Sequence, residues 1–333
     1  MSHSELPTAR VFRATEPLQA RAGLIRVGTR GSRLALAQTT TVAEAVAAAT
    51  GCDVALVTIT THGDVSRESL SQLGGTGVFV SALREALQAG ECDLAVHSLK
   101  DLPTGACEGI ATGAIPARAD ARDALCARDG LALADLPTGA HVGTGSPRRA
   151  AQLSAARPDL HVHDLRGNVD TRLGRVGVDL DAVVLAAAGL DRSGLSAAVT
   201  ERFDLATVPT APGQGALSIE CRAEDRAADP YAAAFAALDD PETHACAVAE
   251  RSLLAALEAG CAAPVGATAE LREGQLTLWA TVYRLDGAES LTAEVAAAWQ
   301  PGDRETPAEL GRRAAQDLLA RGAAQLAPLG AGR

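Results

Sequence analysis

The period of the apolar positions changes several times along this chain. Residues 24–27 form a short apolar run that ends in Gly28-Thr29-Arg30-Gly31-Ser32, and residues 33–49 follow as an alanine-rich helix. Residues 54–60 alternate as a strand does. Gly74-Gly75-Thr76-Gly77 resists regular structure, with three glycines in four positions. A helix over 78–88 leads to a short buried strand at 93–96, which runs into His97-Ser98-Leu99-Lys100-Asp101-Leu102-Pro103. This alternation of strand and helix predicts an α/β domain.

The pattern restarts near residue 120. A strand at 140–143 passes through Thr144-Gly145-Ser146-Pro147-Arg148-Arg149 into a helix reaching about residue 156. A strand at 161–165, a short helix at 169–175 and a buried strand at 181–187 complete a second α/β domain. The Pro/Gly-rich stretch 208–215 reads as a crossing between domains. After it come a strand at 217–220, a helix over 241–259 expected to end on a left-handed Gly260, an alternating strand at 275–283 and a closing helix at 308–321. These last elements predict a small α+β domain. Residues 1–22 show no clean periodicity and read as a flexible tail. The expected division is 23–117 with 216–234, then 120–211, then 238–333.

Composition narrows the reading. The chain is 47% apolar but only 2% aromatic, so its cores must be built from Ala, Val, Leu and Ile. No apolar run approaches the roughly 20 residues of a membrane span, and the N-terminus lacks a signal-peptide pattern. The seven cysteines are odd in number, widely spaced and without a CxxC pair, which argues against a disulfide framework or a zinc site and for a cytoplasmic setting. A net charge of −11 argues against a nucleic-acid partner. Positive charge is nevertheless concentrated: Arg148, Arg149, Arg157, Arg166, Arg172 and Arg175 fall within 28 residues. Lys100 is the single lysine among 30 basic residues.

That concentration points to anion chemistry. Ser146 suits a helix N-cap and Pro147 the first helical position, so free backbone N–H groups and the positive end of a helix lie beside two arginines. The same residues also fit a surface helix with solvated arginines. Gly28–Ser32 repeats the arrangement in the first domain, and Arg166-Gly167-Asn168 with Arg172 follows another strand end. No GxxxxGK[ST] motif supports a nucleotide loop. Asp101 beside Lys100 can serve as a general acid or base, or be an exposed ion pair in a turn. His97, His161 and His163 read as structural. Cys261 follows a helix end, where no dipole activates a thiolate.

Taken together and in order, the segments 28–36, 74–80, 97–103, 143–149, 165–173, 188–190, 212–216, 220–222 and 258–266 resemble the hydroxymethylbilane synthase (porphobilinogen deaminase) family over about residues 24 to 325. The resemblance implies an α/β protein of three domains. The first two are like a type II periplasmic binding protein around a cleft, and the third is a small α+β domain with a cysteine loop. It implies one dipyrromethane cofactor per chain, joined through a thioether to Cys261, and a transferase that adds four porphobilinogen units with loss of ammonia before hydrolytic release. Asp101 becomes the expected catalytic residue. Lys100, Thr144, Ser146, Arg148, Arg149 and Asp101 are expected to bind the cofactor. Arg30, Ser32, Phe79, Ser98, Arg166, Asn168, Arg172, Arg192 and Gln214 are expected to bind substrate, and no metal is implied. The precedent is a monomer, with transient handover of product to uroporphyrinogen-III synthase, and no nucleic acid or membrane. The chain departs from the pattern at Gln72 and Thr76, where the family often has basic residues, and at Ala262 after the cysteine. Two rivals explain less: a non-catalytic anion-binding protein leaves the cysteine domain unused, and a cysteine hydrolase lacks a base near Cys261.

Overall fold

All six residues of Leu24–Thr29 are buried, as expected of a strand with parallel neighbours and covered faces. The computed structural model describes residues 9–59, 77–260 and 263–330, with the backbone alone at 77–79. The strands it describes, in chain order, are β1 Val11–Arg13, β2 Leu24–Thr29, β3 Asp53–Thr58, β4 Leu94–Ser98, β5 Ile110–Ala114, β6 Asp123–Ala127, β7 His141–Thr144, β8 His161–Asp164, β9 Ala182–Ala186, β10 Glu201–Arg202, β11 Leu217–Arg222, β12 Val265–Arg272, β13 Gln275–Tyr283 and β14 Ser290–Ala298. The α-helices are α1 Arg33–Thr50, α2 Gly77–Gln88, α3 Pro147–Ala156, α4 Val169–Leu173, α5 Ala187–Arg192, α6 Tyr231–Leu238, α7 Pro241–Ala256, α8 Glu305–Ala320 and α9 Ala323–Leu326.

Two compact units result. One comprises Met1–Ala117 with Leu217–Asp240, the other Arg118–Ala216 with Pro241–Arg333. The first holds a six-stranded sheet in the order β1-β3-β2-β4-β11-β5. Its core packs Val42, Val46 and Ala47 of α1 against Ile25, Val27, Val54, Leu56, Leu94 and Ile219. Ser32 starts α1 by accepting a hydrogen bond from the Ala35 N–H at 3.3 Å. The stretch 1–22, expected to be a tail, instead contributes β1 to this sheet, parallel to β3. The three residues Val-Phe-Arg are short but suited to a strand, and they pair with backbone groups that β3 would otherwise leave open at the edge.

The second unit holds a five-stranded sheet in the order β10-β6-β9-β7-β8. Read as β3-β2-β4-β11-β5 and β8-β7-β9-β6-β10, the two sheets share one pattern. In both, an antiparallel strand lies beside the parallel core, and it is the strand reached just after the chain leaves the other unit. The same unit also contains the antiparallel meander β12-β13-β14, covered by α7 and α8 through Leu253, Leu257, Leu276, Leu278 and Leu318. Glu250 of α7, fully buried, fastens this layer. It accepts from Arg118 Nη1 at 2.6 Å, from the Gly213 N–H at 2.6 Å and from the Ala269 N–H at 2.8 Å.

The helix expected over 241–259 stops at Ala256. Its left-handed residue is Glu258 (φ 48°), not Gly260. The Glu258 N–H reaches the Ala255 carbonyl at 3.0 Å and the Ala259 N–H the Leu254 carbonyl at 3.2 Å, the paired bonds of a Schellman end. Burial of Leu257 sets the stop, and the left-handed glutamate costs about 1–2 kcal/mol.

Close packing of α8 on α7 depends on Gly311, where a Cβ would lie 2.3 Å from the Ala249 carbonyl oxygen and 2.8 Å from the Leu253 nitrogen. Both are backbone atoms of a helix and cannot yield alone. Gly311→Ala is therefore expected to destabilise the chain by about 1–3 kcal/mol, lowering the thermal midpoint by several degrees. An unchanged midpoint in a thermal melt would show that the two helices separate freely.

Candidate active site

Three groups of predicted residues can be followed from their strands outward. In the first unit, β4 ends at Ser98 and the chain makes one 3₁₀ turn, Leu99–Asp101. Leu99 and Leu102 are buried on either side of it, and the Leu102 N–H closes on the Leu99 carbonyl at 3.2 Å. The two leucines pin the turn and leave Lys100 and Asp101 half-buried. Beneath lies a polar cluster that sequence reasoning missed. Glu220 of β11 accepts from Arg84 Nε and Nη2 of α2 at 2.9 and 2.7 Å, and His97 Nε2 lies 3.2 Å from Oε2, the oxygen that Nε also reaches. Burial alone would raise the Glu220 pKa, but Arg84 and then His97 hold it down at about 2.

Arg30 and Ser32 stand at the end of β2. Ser32 caps α1, and Arg30 is half-buried beside that helix start. Phe79 belongs to α2, with its side chain outside the described residues. Gln72, Thr76 and Cys261 also lie outside them.

The second unit carries the arginines. Thr144 is buried at the end of β7, and Ser146 caps α3 by accepting from the Arg149 N–H at 3.4 Å. A Cβ on Gly145 would sit 2.4 Å from the Leu165 carbonyl oxygen, and its next neighbours are the Arg172 guanidinium nitrogens at 3.6 Å. Glycine is thus what lets the Leu165 carbonyl pack against this turn, with the Arg172 guanidinium at ordinary contact distance beside it. Arg172 donates through Nε to the Gly167 carbonyl at 2.7 Å. Burial lowers its pKa, the like charges of Arg149 and Arg166 lower it further, and only Asp164 opposes them. Asn168 caps α4, accepting from the Thr171 N–H at 2.8 Å. Arg166 is exposed and pairs with Asp164 at 3.1 Å. Arg192 of α5 donates to the Gly215 carbonyl at 2.8 Å, and burial lowers its pKa.

Two expectations need correction. Arg148 and Arg149 do not present open guanidinium groups. Both turn inward onto Asp123 of β6, at 2.8 and 2.6 Å. Burial would raise the Asp123 pKa, but the two arginines hold it well below the usual carboxylate range. Gln214 is fully buried. Its amide spans Asp123 (2.8 Å), the Ala121 carbonyl (2.8 Å) and Arg149 (3.2 Å), so it braces the arginines instead of facing outward. Asp123 was missed because an acid opening an apolar strand gives no periodic signal. The available clue was chemical: two adjacent arginines entering a core require a counter-charge.

The balance here is Arg148, Arg149, Arg166 and Arg172 against Asp123 and Asp164, a positive surplus at the N-terminus of a helix. A ligand with several carboxylates fits such a surplus. Two α/β sheets with arginines at their strand ends therefore define the class, an α/β enzyme for a polyanionic substrate. Residues 25–229 match the family described as porphobilinogen deaminase, dipyromethane cofactor binding domain, and residues 244–320 match its C-terminal domain. A porphobilinogen deaminase of Leifsonia xyli is 62% identical, covering 94% of this chain and 97% of its own. Those of Cutibacterium acnes and Thermobifida fusca are 53% and 54% identical, each covering 92% of this chain and 97% of their own. The chain belongs to the porphobilinogen deaminase family. It is a transferase of tetrapyrrole synthesis, its substrate is porphobilinogen and its cofactor is dipyrromethane. No helix among the described residues is long and apolar enough to cross a membrane.

Glu220 generates a pH prediction. Its pKa falls from 4.5 to about 2 on folding, so its contribution is complete above the unfolded value and disappears as pH drops through the folded one. Glu220→Gln is expected to lose roughly 3 kcal/mol near pH 7. More than half of that difference should be gone near pH 3. Urea unfolding of both proteins at the two pH values measures it, and an equal gap at both would show that the carboxylate does not carry the effect.

Proposed function

We propose that the chain joins four porphobilinogen units head to tail on a dipyrromethane held by Cys261, and then frees the linear hydroxymethylbilane by hydrolysis. When bound, the dipyrromethane supplies the free α-carbon from which the product is built. The observation that carries the reading is the arginine surplus around Gly145, which suits rings bearing an acetate and a propionate each. Thr144, Ser146 and Lys100 hold cofactor carboxylates by hydrogen bonds and charge, and Arg148 and Arg149 add positive potential from within. Arg30, Ser32, Ser98, Arg166, Asn168, Arg172 and Arg192 orient the substrate. Phe79 completes the set.

Asp101 manages charge. Breaking the C–N bond of a protonated aminomethyl group sends its electron pair to nitrogen, releases ammonia and leaves a cationic methylene pyrrole. The Asp101 carboxylate opposes that cation. Forming the new C–C bond requires one α-hydrogen to leave as a proton, which Asp101 would accept and pass to ammonia. The pinned turn between Leu99 and Leu102 supports this role, since a general base works only when it is held in place. The reading extends to three domains, the first now including β1, with 120–211 and 238–333 as the second and third, a monomer, a cytoplasmic setting and product handover to uroporphyrinogen-III synthase.

Denatured intact mass is the first test. The protein should carry an excess of two linked pyrrole units, and Cys261→Ser should lack it. Asp101→Asn should retain the excess while turnover falls about 10²–10⁴-fold. A well-folded protein that carries no such excess and gains none on incubation with porphobilinogen would overturn the proposal.

A further inference from the structure

Arg148 and Arg149 are adjacent in sequence, yet both side chains converge on one acid. Asp123, 1% exposed, accepts from Arg148 Nη1 at 2.8 Å, from Arg149 Nε and Nη2 at 2.9 and 2.6 Å, and from Gln214 Nε2 at 2.8 Å. The acid is itself fixed, since it opens β6, where the ladder to the central strand β9 pairs it with Ala186. Arg148 is further held by Gln152 Oε1 at 2.6 Å and the Pro209 carbonyl at 3.3 Å. Arg149 is further held by the Val184 carbonyl at 3.4 Å. Neither guanidinium can rotate without breaking contacts in a buried setting.

This arrangement does more than neutralise. One acid against two guanidinium groups leaves a single positive charge, and the Arg149 backbone N–H is the one that Ser146 caps. The surplus therefore belongs to the first turn of α3, with the Arg172 guanidinium beside Gly145. Without the acid, two like charges would stand together out of water and push each other away from this position.

We propose that Asp123 is the positioning residue of the arginine cradle: it fixes the Arg148 and Arg149 guanidinium groups before ligand arrives and sets the surplus charge that a dipyrromethane carboxylate neutralises. The inference rests on the proposed function, and its test separates the two. Full-length wild type, Asp123→Asn, Asp123→Glu, Arg149→Gln and the Asp123→Asn/Arg149→Gln pair are compared by two readouts. One is the mass that each protein, first freed of cofactor, gains over time on incubation with porphobilinogen, read after denaturation. The other is KM against kcat for porphobilinogen.

Asp123→Asn is expected to load cofactor at least tenfold more slowly than wild type. Asp123→Glu keeps the charge but displaces it, so it should load fully, with KM raised several-fold and kcat nearly unchanged. The effect of Asp123→Asn should shrink when Arg149 is already Gln, because the acid acts through that arginine. Loading and KM equal to wild type in Asp123→Asn, or an undiminished effect in the Arg149→Gln background, would overturn the inference while leaving the function intact. Should Asp123→Asn fail to fold, Asp123→Glu decides alone, and a wild-type KM there overturns it. A wild type that never gains mass overturns the proposed function and this inference with it.

Discussion

A carboxylate taken out of water persists only when cations and N–H groups surround it, and this chain places Asp93, Asp123, Glu220 and Glu250 under that constraint. Each is buried and each holds at least one arginine: Arg26 and Arg222 on Asp93, Arg148 and Arg149 on Asp123, Arg84 on Glu220, Arg118 on Glu250. Buried ion pairs of this kind add little net stability compared with apolar packing. They do make one arrangement far better than its neighbours, because any shift strands a charge. Three of them bear on elements tied to function: Glu220 lies against His97 near the end of β4, Asp123 holds the start of α3, and Glu250 fastens the layer of β12, β13 and β14, while Asp93 ties the opposite end of β4 to β2 and β11.

The charge balance follows from the same arrangement. A chain of net charge −11 handles a polyanion by separating its charges. Acids such as Asp123 are sunk beneath the arginines they orient, and the arginine charge is left in excess above them. Arginine suits this better than lysine. Its planar fork can engage a buried carboxylate on one side and keep its full charge, whereas a buried ammonium would tend to lose its proton. That Lys100 is the single lysine and stands in the half-buried turn beside Asp101 fits the division.

Much of this was legible in the sequence. The helix starts at Ser32, Ser146 and Asn168 were visible because a capping side chain, a following helix and a preceding strand leave a local signature. So were the buried strands β2, β4 and β9, as short apolar runs. What escaped was non-local. β6 and β5 carry neither alternation nor a long apolar run, and their pairing partners lie about 60 and 110 residues away in the chain. The β1 strand is too short to show a period. The inward turn of Arg148 and Arg149 depended on Asp123, more than twenty residues upstream, and the role of Gln214 on both. Motif order identified the family, but not that Arg148 and Arg149 turn inward onto a buried acid.

A ligand that stays and a ligand that grows make different demands on such groups. Carboxylates that remain in one place through every turnover are best met by charges that cannot move, since no reorganisation is then spent on them. The surplus on the buried Arg148, Arg149 and Asp123 cluster has that character, locked by Gln214, Gln152 and the Pro209 and Val184 carbonyls. Carboxylates that arrive one ring at a time are better met by arginines with room to adjust. Arg166 is exposed, and Arg172 is half-buried, its pKa lowered first by burial and then by the like charges of Arg149 and Arg166. Arg172 stands beside Gly145 just before the start of α3, and Arg166 is close enough to Arg172 to act on it as a like charge. The gradient from locked to adjustable positive charge within one unit is what a primer and a lengthening chain would each require, and it begins at a single buried aspartate.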